Sequence, residues 1–381
     1  MSRSAGLDIM RAHMGVFDKY NLLRADRLLL VFALALAFVG VLTLFSASRS
    51  AYAEIPYYVR QLVWFGMGAT LAALIVCFDY RFLVSLGPVF YAVAIVLLLI
   101  VEFAGVEAKG GQRWLPMGGQ PSEFTKLALV YMLAWYFTTI RERIRKIHYF
   151  LLTFLIPAIP GFLILKQPNL GTAMLLAPVV FIMLYAAGCK RWHLAAVVIA
   201  ALGAAPVVWT QLKDYQKARV MTFVDPASDP QGQGWQTIQT MITVGSGGMW
   251  GKGFREGTQT HLSFLPEHHT DFIFALLAEE MGFLGAASVI ALFGALLLRG
   301  VQLARGSPET QGMLVGAGAA TILAFHVFVN IAITIGMLPV TGIPLPFLSY
   351  GGSFYLTTMM CVGAMLSVNI RKGMFTGKGA S

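Results

Sequence analysis

Residues 28–47 read LLLVFALALAFVGVLTLFSA, a run without a charge or a proline. Its length matches the ~20 apolar residues that a helix needs to cross the ~30 Å hydrocarbon core of a bilayer. Ser46, Ala47 and Ser48 resemble a signal-peptide cleavage site, but the run is too long for one and similar runs follow, so it reads as a retained span. The others lie near 59–78, 82–104, 123–140, 149–165, 171–189, 193–211, 272–298, 313–336 and 352–370, bounded by charges, prolines or glycines. The predicted fold is an all-α polytopic membrane protein of about ten transmembrane helices.

Composition points the same way. Of 381 residues, 57% are hydrophobic and 12% charged, against about 25% charged in an ordinary soluble domain. That excludes a water-soluble globular domain, and high hydrophobicity excludes a disordered chain. The net charge of +10, from 28 Lys and Arg against 18 Asp and Glu, reads as basic anchoring of cytoplasmic loops; no nucleic-acid partner is expected. Of the 28 basic residues, 17 fall on the side that holds both termini. The termini are therefore expected in the cytoplasm, with a large extracytoplasmic loop, about 212–270, between helices 7 and 8. Residues 1–27 form a cytoplasmic tail, either disordered or amphipathic through Leu7, Met10, Met14 and Phe17. Residues 28–370 form the transmembrane domain and 371–381 a second cytoplasmic tail. Cys77, Cys189 and Cys361 have no disulfide or zinc spacing.

The same parity gathers four polar, Gly- and Pro-rich segments at the outer face: 105–126, 166–172, 213–280 and 338–353. Lipid-facing helices need no such clustering, so a site is expected there. Trp235, Ile238 and Ile242 recur at helical spacing and predict an interfacial helix. Gly251-Lys252 fails as a phosphate loop, because Ser246 stands at the first glycine position and Gly253 follows the lysine. Close backbone packing is the preferred reading of the glycines in 245–257.

Asp271 directly precedes an apolar helix. A carboxylate at mid-span costs about 2.5–3.5 kcal/mol, so such groups are functional by default. The alternative is a helix cap, which Thr270 could supply instead. Glu279 and Glu280 are expected about two turns deeper, either functional or structural. Glu123 and Lys126, three residues apart, share one helix surface and either serve the site or neutralise each other. Arg113, with Trp114 beside it, Lys126 and Lys166 are cations suited to a diphosphate, Arg as a planar fork and Lys as a point charge. His261, His268 and His269 fit no zinc spacing and read as hydrogen-bonding or exposed groups.

Five motifs carry a family resemblance. They are Gly111-Gln112-Arg113-Trp114; Gln120-Pro121-Ser122-Glu123-Phe124-Thr125-Lys126; Lys166-Gln167-Pro168-Asn169-Leu170-Gly171-Thr172; Phe264-Leu265-Pro266-Glu267-His268-His269-Thr270-Asp271-Phe272; and 338–352, ending Phe347-Leu348-Ser349-Tyr350-Gly351-Gly352. In order and spacing they resemble the SEDS proteins of bacterial shape, elongation, division and sporulation, and the elongation branch more than the division branch. The resemblance implies a ten-helix peptidoglycan glycosyltransferase in the bacterial cytoplasmic (inner) membrane. It would polymerise lipid II onto a growing glycan strand at the extracytoplasmic face, within the elongation machinery and beside a class B penicillin-binding protein. Asp271 matches the family's essential aspartate, Glu123 and Lys126 its cavity residues, and Glu267, His269 and Ser349 lie within the motifs. Two departures stand out: Asn169 where the family usually has aspartate, and Phe354 after Gly-Gly-Ser.

The implied reaction converts an α-linked lipid diphosphate to a β-linkage, a single inverting displacement. Asp271 is the expected general base on the acceptor 4-hydroxyl. Arg113 and Lys126 are expected to stabilise the departing diphosphate, and a divalent cation, Mg2+ or Mn2+, stays open. The rivals are a lipid-precursor flippase or proton-coupled transporter, which would show inverted repeats and a midplane site, and a scaffold.

Overall fold

The computed structural model describes residues 25–48, 55–108, 111–116, 118–212, 214–229, 232–258 and 269–372. The first 24 residues of the expected 1–27 tail, together with His261, Glu267, His268 and 373–381, lie outside the described residues.

Each expected span is helical. α1 (Arg27–Ala47) and α2 (Tyr57–Cys77) form the first two, and α3 (Tyr80–Ser85) with α4 (Gly87–Ala104) the third. A hairpin of β1 (Val106–Ala108) and β2 (Gly111–Trp114) precedes α5 (Pro121–Ile140). α6 (Ile147–Thr153), α7 (Leu155–Lys166), α8 (Leu170–Ala186) and α9 (Arg191–Gln211) follow. The long loop contains α10 (Asp214–Val224) and α11 (Gln233–Ser246), and α12 (Ile273–Arg305), α13 (Thr310–Thr334) and α14 (Gly352–Lys372) complete the bundle. Among the described residues, seven helical segments are long and apolar enough to cross a membrane: α1, α2, α4, α6 with α7, α12, α13 and α14. The chain is thus an all-α polytopic membrane protein. The hairpin, with Ala108 opposite Gly111, was not expected, because strands this short leave no period-two pattern.

Ion pairs staple one end of the bundle. Asp26 caps α1 by accepting from Leu29 N at 2.8 Å, and its carboxylate meets Arg299 of α12 at 2.6 Å. Arg81 meets Glu309, just before α13, at 2.8 Å. Arg371 of α14 is buried against Val76 O at the end of α2 and pairs with Asp79 at 3.5 Å. From this end the helices run to the other, where the motif segments lie.

At that second end, two stretches of irregular backbone pack inside the bundle. α12 is broken at Gly282, where φ is 66° and ψ −168°, and residues 247–253 fit into the break. Lys252 N and Gly253 N donate to Glu279 O and Glu280 O at 3.0 and 3.1 Å, while Phe283 N donates to Gly248 O at 2.8 Å. Backbone inside a membrane protein must find such partners, since lipid offers none. A Cβ on Gly251 would lie 2.1 Å from Glu280 O, and one on Gly282 would lie 2.2 Å from Gly251 N, so the glycines permit the approach. The second stretch is the 338–350 loop: a Cβ on Gly40, midway along α1, would lie 2.3 Å from Phe347 O.

The break corrects one expectation. Glu280 accepts a hydrogen bond from Ser46 in the last turn of α1, and Asp271 O accepts one from Asn330 near the end of α13. Residues 271–281 therefore start and finish at the same end of the bundle, and Glu279 and Glu280 do not lie two turns deeper. α11 forms as expected, with Thr237, Thr240 and Thr243 buried and Trp235 and Ile242 exposed.

Candidate active site

Asp271 is half-buried in the turn before α12. The N-cap position of that helix is Phe272, one residue beyond Asp271, and the Phe272 side chain makes no cap bond. The 338–350 loop passes beside the carboxylate: Gly342 has φ 70°, and a Cβ there would lie 3.5 Å from Asp271 Oδ2. The same loop receives the third motif, since a Cβ on Gly171 would lie 2.9 Å from Ile343 and 3.0 Å from Thr341 O. The second motif joins through Gln120 N, which donates to Ser353 Oγ at 3.0 Å. His269 stacks on Tyr57 at 4.3 Å with rings 6° from parallel, and Ser349 Oγ donates to Thr270 O at 2.6 Å.

Glu123 and Lys126 face each other at 2.6 Å and are both buried, the Lys126 side chain completely. Lys126 Nζ also lies 3.0 Å from Nε2 of His326 on α13. His326 Nδ1 is 2.7 Å from Ile322 O; a carbonyl only accepts, so Nδ1 carries the proton and Nε2 of the neutral ring accepts from the lysine ammonium. Lys126 thus has a carboxylate, an imidazole and the face of Phe354, 5.6 Å away, around it. His326 and Asn330 are four residues apart on α13, about 6 Å along the axis and on one face. One face of one helix therefore touches both the Lys126 pair and the Asp271 turn.

The remaining expected cations are also engaged. Arg113 Nε donates to Gln167 O at 3.0 Å and Nη2 donates to Pro168 O, tying the hairpin to the third motif. Trp114 pairs with Val106 in that hairpin. Lys166 lies 3.7 Å from Glu102 at the end of α4, with 51% of its side chain exposed. Asn169, in place of the usual aspartate, caps α8 by accepting from Thr172 N at 3.3 Å. Among the described residues no three His, Cys, Asp or Glu side chains gather as a metal-binding group.

With the motifs together at one end, comparison with known proteins becomes informative. The sequence profile of the FtsW/RodA/SpoVE family, described as cell cycle protein, matches residues 26–373. The chain belongs to this family, the SEDS proteins. Peptidoglycan glycosyltransferase MrdB of Escherichia coli K12 is 37% identical over 94% of this chain and 96% of its own length. Stage V sporulation protein E of Bacillus subtilis is 34% identical over 90% and 96%. Among solved structures, a chain of a peptidoglycan synthase complex that coordinates polymerization and crosslinking aligns with a TM-score of 0.78 at 34% identity, covering 91% of this chain and 98% of that one. Thermus thermophilus RodA aligns with a TM-score of 0.68 at 29% identity, covering 91% and 97%.

The structure adds SEDS residues that sequence reading passed over: His326 and Asn330 on α13, Tyr57 and Gln61 on α2, and Glu102. The first two had a signal, polar side chains within an apolar run, which marks function in a membrane helix. Gln61 and Glu102, inside the expected spans 59–78 and 82–104, carried the same signal; Tyr57 had none, since only its stacking on His269 brings it to the motifs.

Proposed function

We propose that this SEDS protein is a peptidoglycan glycosyltransferase that polymerises lipid II during cell elongation. In this reading the Asp271 end of the bundle faces the outside of the cytoplasmic membrane and both termini lie inside. The observation that carries it is Asp271 itself, a half-buried carboxylate placed against Gly342 where the motifs meet. The acceptor 4-hydroxyl oxygen forms a bond to the anomeric carbon of the donor sugar as the bond from that carbon to the diphosphate oxygen breaks. The proton passes to Asp271, and the α-linkage becomes β in one inversion. General-base assistance of this kind is worth about 10²–10⁴-fold.

The departing diphosphate needs cations. Lys126 faces Glu123 and is sealed from solvent, so its part is to hold α5 against His326 of α13 beside the site; Lys166, half-exposed, is the cation offered to the diphosphate, and Arg113 anchors the turn that carries it. No step is assigned to Mg2+ or Mn2+; Asn169, where the family usually has aspartate, serves as a helix cap. The likeness to a chain of a synthase complex supports a crosslinking partner, a class B penicillin-binding protein. Clustering of the motifs at one end, away from the midplane, favours an enzyme over a flippase or transporter.

The test is purified Asp271→Asn given lipid II in vesicles. Loss of polymer with unchanged folding is expected, and normal polymer yield would overturn the assignment. Sidedness is tested by Lys166→Cys in intact cells: labelling by a membrane-impermeant thiol reagent is expected, and labelling only after lysis would reverse the orientation.

A further inference from the structure

The carbonyls of residues 269–271 immediately precede α12. Each is held from outside that helix. His269 O accepts from Tyr350 N at 3.0 Å, Thr270 O from Ser349 Oγ at 2.6 Å, and Asp271 O from Asn330 Nδ2 at 2.8 Å. The second Nδ2 hydrogen of Asn330 goes to Ile343 O at 2.7 Å. Ile343 follows Gly342, the residue beside the Asp271 carboxylate. One amide therefore holds both the main chain behind that carboxylate and the loop in front of it.

The amide orientation is fixed, since two carbonyls accept and cannot donate. That leaves Asn330 Oδ1 buried with no hydrogen-bond partner among the described residues, on a side chain 1% exposed. A buried acceptor without a partner destabilises a fold. In an apolar helix, a side chain selected only for packing would be apolar. Asn330 contributes what an apolar residue cannot, two hydrogen bonds that fix one loop against another.

We infer that Asn330 is a positioning residue for Asp271, setting the place of its carboxylate relative to the Gly342 loop, with Ser349 as a second holder one residue earlier. Asn330 acts through Asp271 and not on the substrate. The inference rests on the reading of Asp271 as general base. Displacement of a reacting group by about 1 Å costs on the order of 10²-fold in rate, and that is the expected size of the effect.

The experiment measures lipid II polymerisation by the full-length protein in vesicles for wild type, Asn330→Leu, Ser349→Ala, Asp271→Asn and the Asp271→Asn/Asn330→Leu double variant. For Asn330→Leu, kcat should fall about 10²-fold with KM within about 2-fold, the pattern of a contact that matters in the transition state. The acid limb of its kcat–pH profile should move, which a merely loosened fold would not cause. The double variant should be no slower than Asp271→Asn alone. Asn330→Leu with wild-type kcat and pH profile would overturn the inference, as would a further large loss in the double variant. If Asn330→Leu does not fold, Ser349→Ala takes its place: the same fall in kcat and shift in pH profile are expected, and wild-type values would overturn the inference equally. A fully active Asp271→Asn would instead remove the general-base reading, whereas an inactive Asp271→Asn beside an unimpaired Asn330→Leu would remove only this inference.

Discussion

At the end of the bundle that holds Asp26, charged side chains tie helix ends together: Asp26 with Arg299, Arg81 with Glu309, Arg371 with Asp79. At the Asp271 end several uncharged polar groups are more deeply buried and have no charge to pair with. Gln61 Oε1, Ser122 Oγ, Asn330 Oδ1 and Thr341 Oγ1 have no hydrogen-bond partner among the described residues. Each such group costs about 1–3 kcal/mol. Arg371 Nε at the Asp26 end also lacks a hydrogen bond, but it faces the Asp79 carboxylate at 3.5 Å, so an ion pair offsets its burial. The Asp271 end carries a stability cost that folding does not explain, as expected where local rules yield to function.

Mutations at the two ends should separate these roles. The largest effect is on rate: Asp271→Asn should slow polymerisation by about 10²–10⁴-fold with an unchanged Tm, and a large fall in Tm would place Asp271 among the structural charges instead. A matched pair comes next. Glu123→Ala and Arg371→Met each leave a buried charge without its partner, a loss of about 3–5 kcal/mol, measured as Tm in detergent. Only Glu123→Ala should also lower the kcat of the folded fraction; equal kcat values would erase the contrast between the ends.

Gly282→Ala tests the break in α12. A Cβ has no room against Gly251 N, and overpacking of this kind costs about 1–3 kcal/mol, read as a lower Tm; an unchanged Tm would show that the inserted loop yields easily. Asp26→Asn should have the smallest effect, about 1 kcal/mol for a partly exposed pair. The Arg299 guanidinium beside Asp26 holds its carboxyl below the ordinary value of 3.8. A lowered carboxylate stabilises the fold above that value and loses its contribution as pH falls through the folded one. The Tm gap between Asp26→Asn and wild type should thus be full at neutral pH and close in strong acid; a gap that persists there would mean that the charge is not its source.

Much of this was legible in the sequence because a bilayer imposes one-dimensional rules. The run at 28–47 became α1 within one residue at its start, and every other expected span became helix. Asp271 stood out because a carboxylate beside an apolar helix is costly wherever the helix goes. His326 and Asn330 were missed although the same cost applies to them, since each looks like a single polar interruption until its partner is known. Arg113 looked like a cation for a ligand, and the fold instead gave it the carbonyls of Gln167 and Pro168.

The sequence by itself determined the membrane helices, the gathering of motifs on one side and the prominence of Asp271, because span length, charge bias and the expense of a buried carboxylate depend only on residue order. Tertiary structure decided the break at Gly282, the direction of 271–281, the burial of Lys126 between Glu123 and His326, and the hold of Asn330 on Asp271. Those depend on which backbone atoms come within hydrogen-bonding distance across hundreds of residues, and no local pattern records that.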